Sequence, residues 1–322
     1  MRVVFMGTPE FAVPALEKLI EGEYEVAAVY TQPDKPEGRG RVPAAPPVKR
    51  VALRDGLQVL QPSSLRHPEE AERLSDLKPD VVVVAAFGQI LPPGILEVPE
   101  HGCLNIHPSL LPSYRGATPI PAAILAGDED TGVTIMLLDA GMDTGPTLSQ
   151  FVVEIEPEDT TGSLTVKLAR AGARLLGETL PPWLEGSLVP RPQDESRASY
   201  TYPIVKEDGA IDWRLPAEQI WRGVRAYYPW PGSYTWWRGR MMKIVQAIHL
   251  PGTGDAVPGR VIALPSGQPA AVGVETGAGI LGLVNVQMEG KRAMSAEDFV
   301  RGQQGFVGDV LGKRSPEPAD SP

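Results

Sequence analysis

Asn105 and His107 stand two residues apart in the run Cys103-Leu104-Asn105-Ile106-His107-Pro108. On a strand, that spacing puts both side chains on one face. Pro108 has no N–H to give and ends the ladder directly after them. An amide donor can hold the oxygen of a carbonyl under attack, and an imidazole titrating near neutral pH can carry a proton. Further on, Leu138-Asp139-Ala140-Gly141-Met142-Asp143-Thr144-Gly145-Pro146 is a glycine-punctuated loop with two carboxylates. From it, Asp143 can face His107 across the sheet ends and hold the ring's tautomer or order a water. The competing reading of Asp143 is a turn aspartate bonded to its own backbone, a common state of Asp-Thr-Gly. Likewise, a histidine taken alone is more often a satisfied structural residue than a catalyst. No Gly-x-Ser-x-Gly elbow is present, so the three residue types together suit direct attack by an amine on an acyl carbon.

The elements that must carry these residues alternate between strand and helix. Arg2–Met6, Glu25–Tyr30, Asp80–Phe87, Cys103–His107 and 133–138 read as strands, and Val81–Ala86 is apolar on both faces as a buried parallel strand should be. Thr8 can cap a helix, Pro9 suits its first turn, and Pro14 should kink or restart it. The pattern predicts an α/β domain with a doubly wound, parallel, Rossmann-like sheet, in which ligands bind beyond the carboxyl ends of the strands. Gly7-Thr8-Pro9 is no dinucleotide fingerprint, because G-x-G-x-x-G does not follow the first strand. After a helical stretch at 160–185 and a helix at Ala217–Ala226, short strands alternate with Gly/Pro turns, which predicts a small β-barrel of OB-like type. The expected organisation is a catalytic domain over 1–188, a linker over 189–206, the barrel over 207–312 and a disordered tail over 313–322.

The bulk numbers restrict the function classes. The 322 residues are enough for one large and one smaller domain. Apolar runs are too short to span a bilayer and the N-terminus does not resemble a signal peptide. The single cysteine excludes an internal disulfide and a multi-cysteine metal site, so no metal is expected and a cytoplasmic location fits. The net charge of −10 argues against indiscriminate nucleic-acid binding, although the residues after about 206 are mildly basic and could help to dock a polyanion.

Longer motifs narrow the choice. Met6-Gly7-Thr8-Pro9-Glu10-Phe11-Ala12, Gln32-Pro33-Asp34-Lys35-Pro36 with Gly38-Arg39-Gly40, Asn105–Pro112 and Asp139–Gly145 resemble the methionyl-tRNA formyltransferases, a branch of the 10-formyltetrahydrofolate-dependent formyltransferases. Ile211-Asp212-Trp213, Arg225-Ala226, Pro229-Trp230-Pro231 and Lys291-Arg292-Ala293-Met294 extend the resemblance to about residue 312. It implies an enzyme that moves a formyl group from 10-formyltetrahydrofolate to the α-amine of methionyl-initiator tRNA in translation initiation, and a monomer is expected. By carry-over, Asn105 stabilises the oxyanion, His107 handles the proton and Asp143 assists. Ser109, Leu110, Leu111 and Pro112 would line the folate site, and Gln89, Ile90, Leu91, Asp139, Ala140 and Gly141 would complete the pterin pocket through backbone groups. Pro108 and Tyr114 depart from the family's usual Gly or Ala and Trp, and do not help to identify the acceptor.

For the tRNA, the loop 34–47 resembles the family insertion that wedges into the acceptor-stem end. Arg39, Arg41 and Lys35 are its candidate contacts, with Arg240, Lys243, Lys291 and Arg292 on the barrel as a basic face. Three other functions remain open on the residues alone: a formyl-folate hydrolase, an amino-sugar nucleotide formyltransferase, and a tRNA-binding module with a relic site.

Overall fold

Val81–Ala85 is buried along its whole length, as a strand covered on both faces must be, and it sits within a seven-stranded sheet. The computed structural model describes residues 1–37, 42–252 and 257–312. In chain order the first strands are β1 (Arg2–Gly7), β2 (Glu25–Tyr30), β3 (Lys35–Glu37), β4 (Val42–Ala44), β5 (Val59–Leu60), β6 (Val81–Ala85), β7 (Cys103–His107), β8 (Arg115–Gly116), β9 (Asp130–Leu137), β10 (Thr147–Glu154) and β11 (Tyr200–Thr201). Seven of them form one sheet in the order β10-β9-β7-β6-β1-β2-β5, parallel from β5 to β7. The crossovers carry α1 (Val13–Glu21), α2 (Pro47–Arg54), α3 (Pro68–Asp76) and α4 (Pro93–Leu96). This is the Rossmann-like domain that the alternating pattern predicts.

Two local readings change. Thr8 caps no helix: its hydroxyl donates to the Phe87 carbonyl at 2.9 Å and accepts from the Gln32 N–H at 3.3 Å, tying together the carboxyl ends of β1, β2 and β6. Pro14 restarts the helix, since Glu10–Ala12 is a 3₁₀ turn and α1 begins at Val13. The strand expected at 133–138 is antiparallel to its neighbour, with Leu104 opposite Leu137 and His107 opposite Thr134. The chain leaves β7 and re-enters at that same end, so no parallel crossover is made. β10, the outermost strand on that side, has no counterpart in the pattern read from sequence. Its consecutive exposed residues Phe151 and Val152 break the alternation of a half-buried strand.

The chain divides into two compact units. The first comprises Met1–Ile120, Glu129–Ile155 and Ser163–Tyr202, and the second Pro121–Asp128, Glu156–Gly162 and Pro203–Pro322. The segment expected as a linker is bonded into the first unit as far as Tyr202: Arg191 bridges to Thr147, and β11 pairs with β8. The chain also forms α5 (Pro119–Ala126), before β9, and α6 (Thr161–Leu184), after β10. The tail expected over 313–322 lies outside the described residues.

The second unit holds α7 (Ala217–Ala226), β12 (Ser233–Trp237), β13 (Arg240–Leu250), β14 (Val261–Ala263), β15 (Val272–Glu275), β16 (Ile280–Met288), β17 (Met294–Ser295) and α8 (Ala296–Gly302). Its curled antiparallel sheet runs β12-β13-β16-β15-β14, with β17 on β16. Residues 308–312 bond to both of its edges. Gly312 pairs with Trp236 of β12, while Gly308 donates to, and Asp309 accepts from, Val261 of β14. Inside, Trp237 meets Phe299 and Phe306 edge-on at 5.5 and 5.2 Å, and the Trp213 indole donates to Thr235 Oγ1 at 3.0 Å. These two tryptophans are therefore core residues.

Candidate active site

His107 ends β7 and is buried, 4% exposed as a residue. Its Nε2 lies 3.1 Å from the Tyr114 carbonyl oxygen, and its Nδ1 lies 3.6 Å from Asp143 Oδ2. A carbonyl oxygen can only accept, so Nε2 carries the proton and Nδ1 is the nitrogen free to take one. Burial pushes the imidazolium pKa below its usual 6.5, while the Asp143 charge and the Tyr114 carbonyl oppose that shift. The ring is thus a neutral base beside a carboxylate that would stabilise its charged form.

Asp143 reaches that position by a fold-back. β9 ends opposite Leu104, three residues short of His107, so the following loop must return about 10 Å along β7. Asp143 itself takes a left-handed backbone, with φ of 54°, and its Oδ2 accepts from the Gly116 N–H at 2.8 Å. Gly145 permits the reversal: a Cβ there would lie 1.9 Å from the Leu137 carbonyl oxygen. Asp139 is not a second reactive carboxylate, because Gly141 N–H and Thr144 Oγ1 both donate to it. Here the turn-aspartate reading belongs to Asp139 and not to Asp143.

Asn105 lies on the same strand face as His107 and is half-buried. Its amide has no hydrogen-bond partner among the described residues. A preorganised donor with no protein partner is what an incoming carbonyl needs.

The loop after β7 is braced from below. Thr134 Oγ1 donates to the Ser109 carbonyl at 2.7 Å and accepts from the Leu111 N–H at 3.1 Å. Ser109 is fully buried and its Oγ donates to the Ser113 carbonyl, so its side chain orders the loop and is not offered to a ligand. Gln89 is spent in the same way, on Leu65 N–H and the Pro62 carbonyl. The expected folate residues Gln89, Ile90, Leu91, Asp139 and Ala140 nevertheless share one property. Their backbone N–H groups have no partner among the described residues. Ile90 is 73% exposed, Gly141 is exposed, and Leu110 and Pro112 are partly exposed, while Leu111 is buried. Unpaired amides beside apolar surface suit a flat, hydrogen-bonding heterocycle.

Of the residues expected at the tRNA, Arg39 and Arg41 lie outside the described residues. Lys35 donates to Gln32 Oε1 at 2.6 Å. In the second unit, Met241 accepts from the Glu289 N–H, which brings Arg240 and the turn holding Lys291 and Arg292 to one end of the sheet. All three are exposed and have no ion-pair partner among the described residues. Lys243 is partly buried and donates to the Pro231 carbonyl at 3.0 Å, so it braces the turn before β12.

Sequence reasoning missed the residues that hold this site. Arg115 is 0% exposed, and its guanidinium bonds Gln193, Glu195 and Tyr200. The signal was Arg115-Gly116 within the run after His107. Its partners lie in a polar stretch that reads as solvated loop.

The sheet thus brings an amide, an imidazole and a carboxylate together at the end of β7. A model of the formyl transferase family matches residues 1–180, and one of the formyl transferase C-terminal domain matches residues 203–304. A methionyl-tRNA formyltransferase of Chloroflexus aggregans is 52% identical over 94% of this chain and 97% of its own length. One of Halalkalibacterium halodurans is 48% identical over 97% and 98%. Among solved structures, an N-formyltransferase from Helicobacter canadensis, in complex with folinic acid and dTDP-3-aminofucose, has a TM-score of 0.64 at 19% identity, over 87% of this chain and 98% of that one. HypX from Aquifex aeolicus, with tetrahydrofolic acid, has a TM-score of 0.64 at 19% identity over 96% of this chain. This chain spans about half the length of HypX, 48%. These two likenesses carry the fold alone. The chain belongs to the formyl transferase family and, within it, to the methionyl-tRNA formyltransferases.

Proposed function

We propose that this chain transfers the formyl group of 10-formyltetrahydrofolate to the α-amine of methionyl-initiator tRNA, with Asn105, His107 and Asp143 as its catalytic set. The observation that carries the reading is the state of His107: Nε2–H is committed to the Tyr114 carbonyl, which leaves Nδ1 as an unprotonated base beside Asp143. The bound folate supplies an electrophilic formyl carbon. Asn105 donates to the formyl oxygen as it gains charge. His107 Nδ1 takes the proton that the amine sheds as its new bond to carbon forms, and returns it to the departing folate nitrogen. Asp143 stabilises the imidazolium between those two events. Ile90, Leu110 and the unpaired amides of residues 89–91 and 139–140 hold the pterin.

Arg240, Lys291 and Arg292 supply phosphate contacts for the tRNA, together with Arg39, Arg41 and Lys35 of the loop after β2. The enzyme acts in the cytoplasm as a monomer; no helix among the described residues is long and apolar enough to cross a membrane. The catalytic part is taken to run through Tyr202, past the limit of 188 expected from composition, with 207–312 as the tRNA-binding part.

One assay tests the reading. The chain is incubated with 10-formyltetrahydrofolate and charged initiator tRNA, and formyl-methionyl ester and free formate are both measured. Ester formation is expected. Formate without ester would make the chain a hydrolase, and transfer to an amino-sugar nucleotide instead would move the acceptor.

A further inference from the structure

Residue 193 falls between the ranges that the two family models match, in a strap that follows α6 and ends in β11. Gln193 Nε2 donates to the carbonyls of Asp143 and Gly145, at 2.8 and 2.7 Å. Its Oε1 accepts from Arg115 Nε and Nη2, at 3.1 and 2.9 Å. One amide therefore joins the loop that carries Asp143 to the residue that follows Tyr114. Ser199 grips the other side. Its Oγ accepts from the Tyr114 N–H and its carbonyl from the Arg115 N–H, both at 2.8 Å. The strap thus holds both partners of His107, the carboxylate facing Nδ1 and the carbonyl on Nε2.

Arg115 keeps the strap from peeling away. Its five N–H donors are all used: two on Gln193, two on Glu195 at 2.6 and 2.9 Å, and one on Tyr200 Oη at 2.9 Å. Pulling the strap off would break all five of these hydrogen bonds together. Gln193 sits between that anchor and a loop whose key residue is in a left-handed conformation. The Asp143 backbone is held by this amide and the Asp143 carboxylate by Gly116, which itself lies in β8, paired to β11.

We infer that Gln193 is a positioning residue for formyl transfer: it sets the separation of Asp143 from His107 while bonding to neither the ring nor the carboxylate. The inference rests on the function proposed above. Glutamate at this position keeps an acceptor for Arg115 but has no N–H for the Asp143 and Gly145 carbonyls, whereas alanine loses both roles.

The test uses the full chain and the variants Gln193→Glu and Gln193→Ala. Three quantities are read: kcat and KM for transfer to methionyl-tRNA, the pH profile, and the NMR titration of the His107 ring. Both variants are expected to lose about 10- to 100-fold in kcat, the scale set by misplacing a catalytic group by about 1 Å. KM for the folate should stay at its wild-type value. His107 should titrate at lower pH as the carboxylate that favours its charged form loosens. Wild-type kcat and wild-type His107 titration in Gln193→Glu would overturn the inference, as would a lowered melting temperature with neither of those changes. If Gln193→Ala does not fold, Gln193→Glu decides alone. If the wild-type chain makes no formyl-methionyl ester, the proposed function fails, and the His107 titration then decides by itself whether Gln193 sets the pair.

Discussion

Asp143 Oδ2 stands 3.6 Å from His107 Nδ1, beyond hydrogen-bond reach, while the same oxygen accepts from the Gly116 N–H at 2.8 Å. The carboxylate is held by the backbone and presented to the ring across a gap that a transferred proton would close. In the proposed reaction its part is to favour the charged ring. Fixing the tautomer falls to the Tyr114 carbonyl on the other nitrogen.

Replacing Asp143 by Asn keeps a group that can accept from Gly116 and removes the charge. Burial then acts on His107 opposed only by the Tyr114 carbonyl, which depresses its pKa further. The acid limb of kcat/KM, expected below pH 6.5 in the wild type because His107 is depressed, should move to lower pH still in Asp143→Asn. kcat itself should fall by about 10²- to 10⁴-fold, the scale of lost acid–base assistance. A limb that stays put would remove Asp143 from the control of His107.

The same ring makes stability depend on pH. Its folded pKa is depressed, so near pH 6 the unfolded chain binds a proton that the folded chain does not. The stabilisation from the neutral, buried ring is complete above the unfolded value of 6.5 and is lost as pH falls toward the folded one. His107→Asn should therefore lose less melting temperature than the wild type between about pH 7 and pH 5, measured by calorimetry. Parallel curves for the two proteins would contradict this.

Asn105→Ala removes the unbonded amide without opening any protein hydrogen bond. It should cost about 10²- to 10³-fold in kcat, as for other oxyanion donors, with an unchanged melting temperature. A large loss of stability with normal turnover would mean that the amide is structural.

Thr134→Val deletes a hydroxyl that serves Ser109 and Leu111 beneath the loop. Two buried backbone groups lose their partner, at about 1–3 kcal/mol each at most. Denaturant unfolding should register a loss on that scale. The KM for the folate should rise more than kcat falls, because the loop and not the imidazole is disturbed.

Lys291→Ala with Arg292→Ala should weaken tRNA binding and flatten its dependence on salt, by about one unit of slope for each phosphate left without its cation. Kinetics in the folate should not change. An unaltered salt slope would show that these side chains face bulk solvent throughout the reaction.

Much of the site was legible because its signals are local. Asn105 and His107 needed only strand spacing and Pro108, and Glu25–Tyr30 and Cys103–His107 form strands with the bounds the pattern predicts. Other features depend on partners far along the chain. Nothing near Val133 announces an antiparallel neighbour, since strand direction is set by where the connection re-enters the sheet. The hydrogen bonds of Gln193 span 48, 50 and 78 residues, so a polar loop residue carries no mark of them in its surroundings. Ser109 misleads in the opposite sense. A hydroxyl in the middle of a motif expected at a ligand looks like a binding group, yet it is consumed by Ser113 four residues on.

The strap also bears on where such a chain can be cut and spliced. Read by composition, the joint between the proposed catalytic and tRNA-binding parts falls at Val189, and a fragment ending there would keep every residue of the proposed catalytic set. It would also lack the amide that holds Asp143, the serine that holds Tyr114 and the counter-charge of Arg115. A minimal catalytic fragment, or a chimera with a foreign second unit, has to run through Tyr202 before the exchange begins.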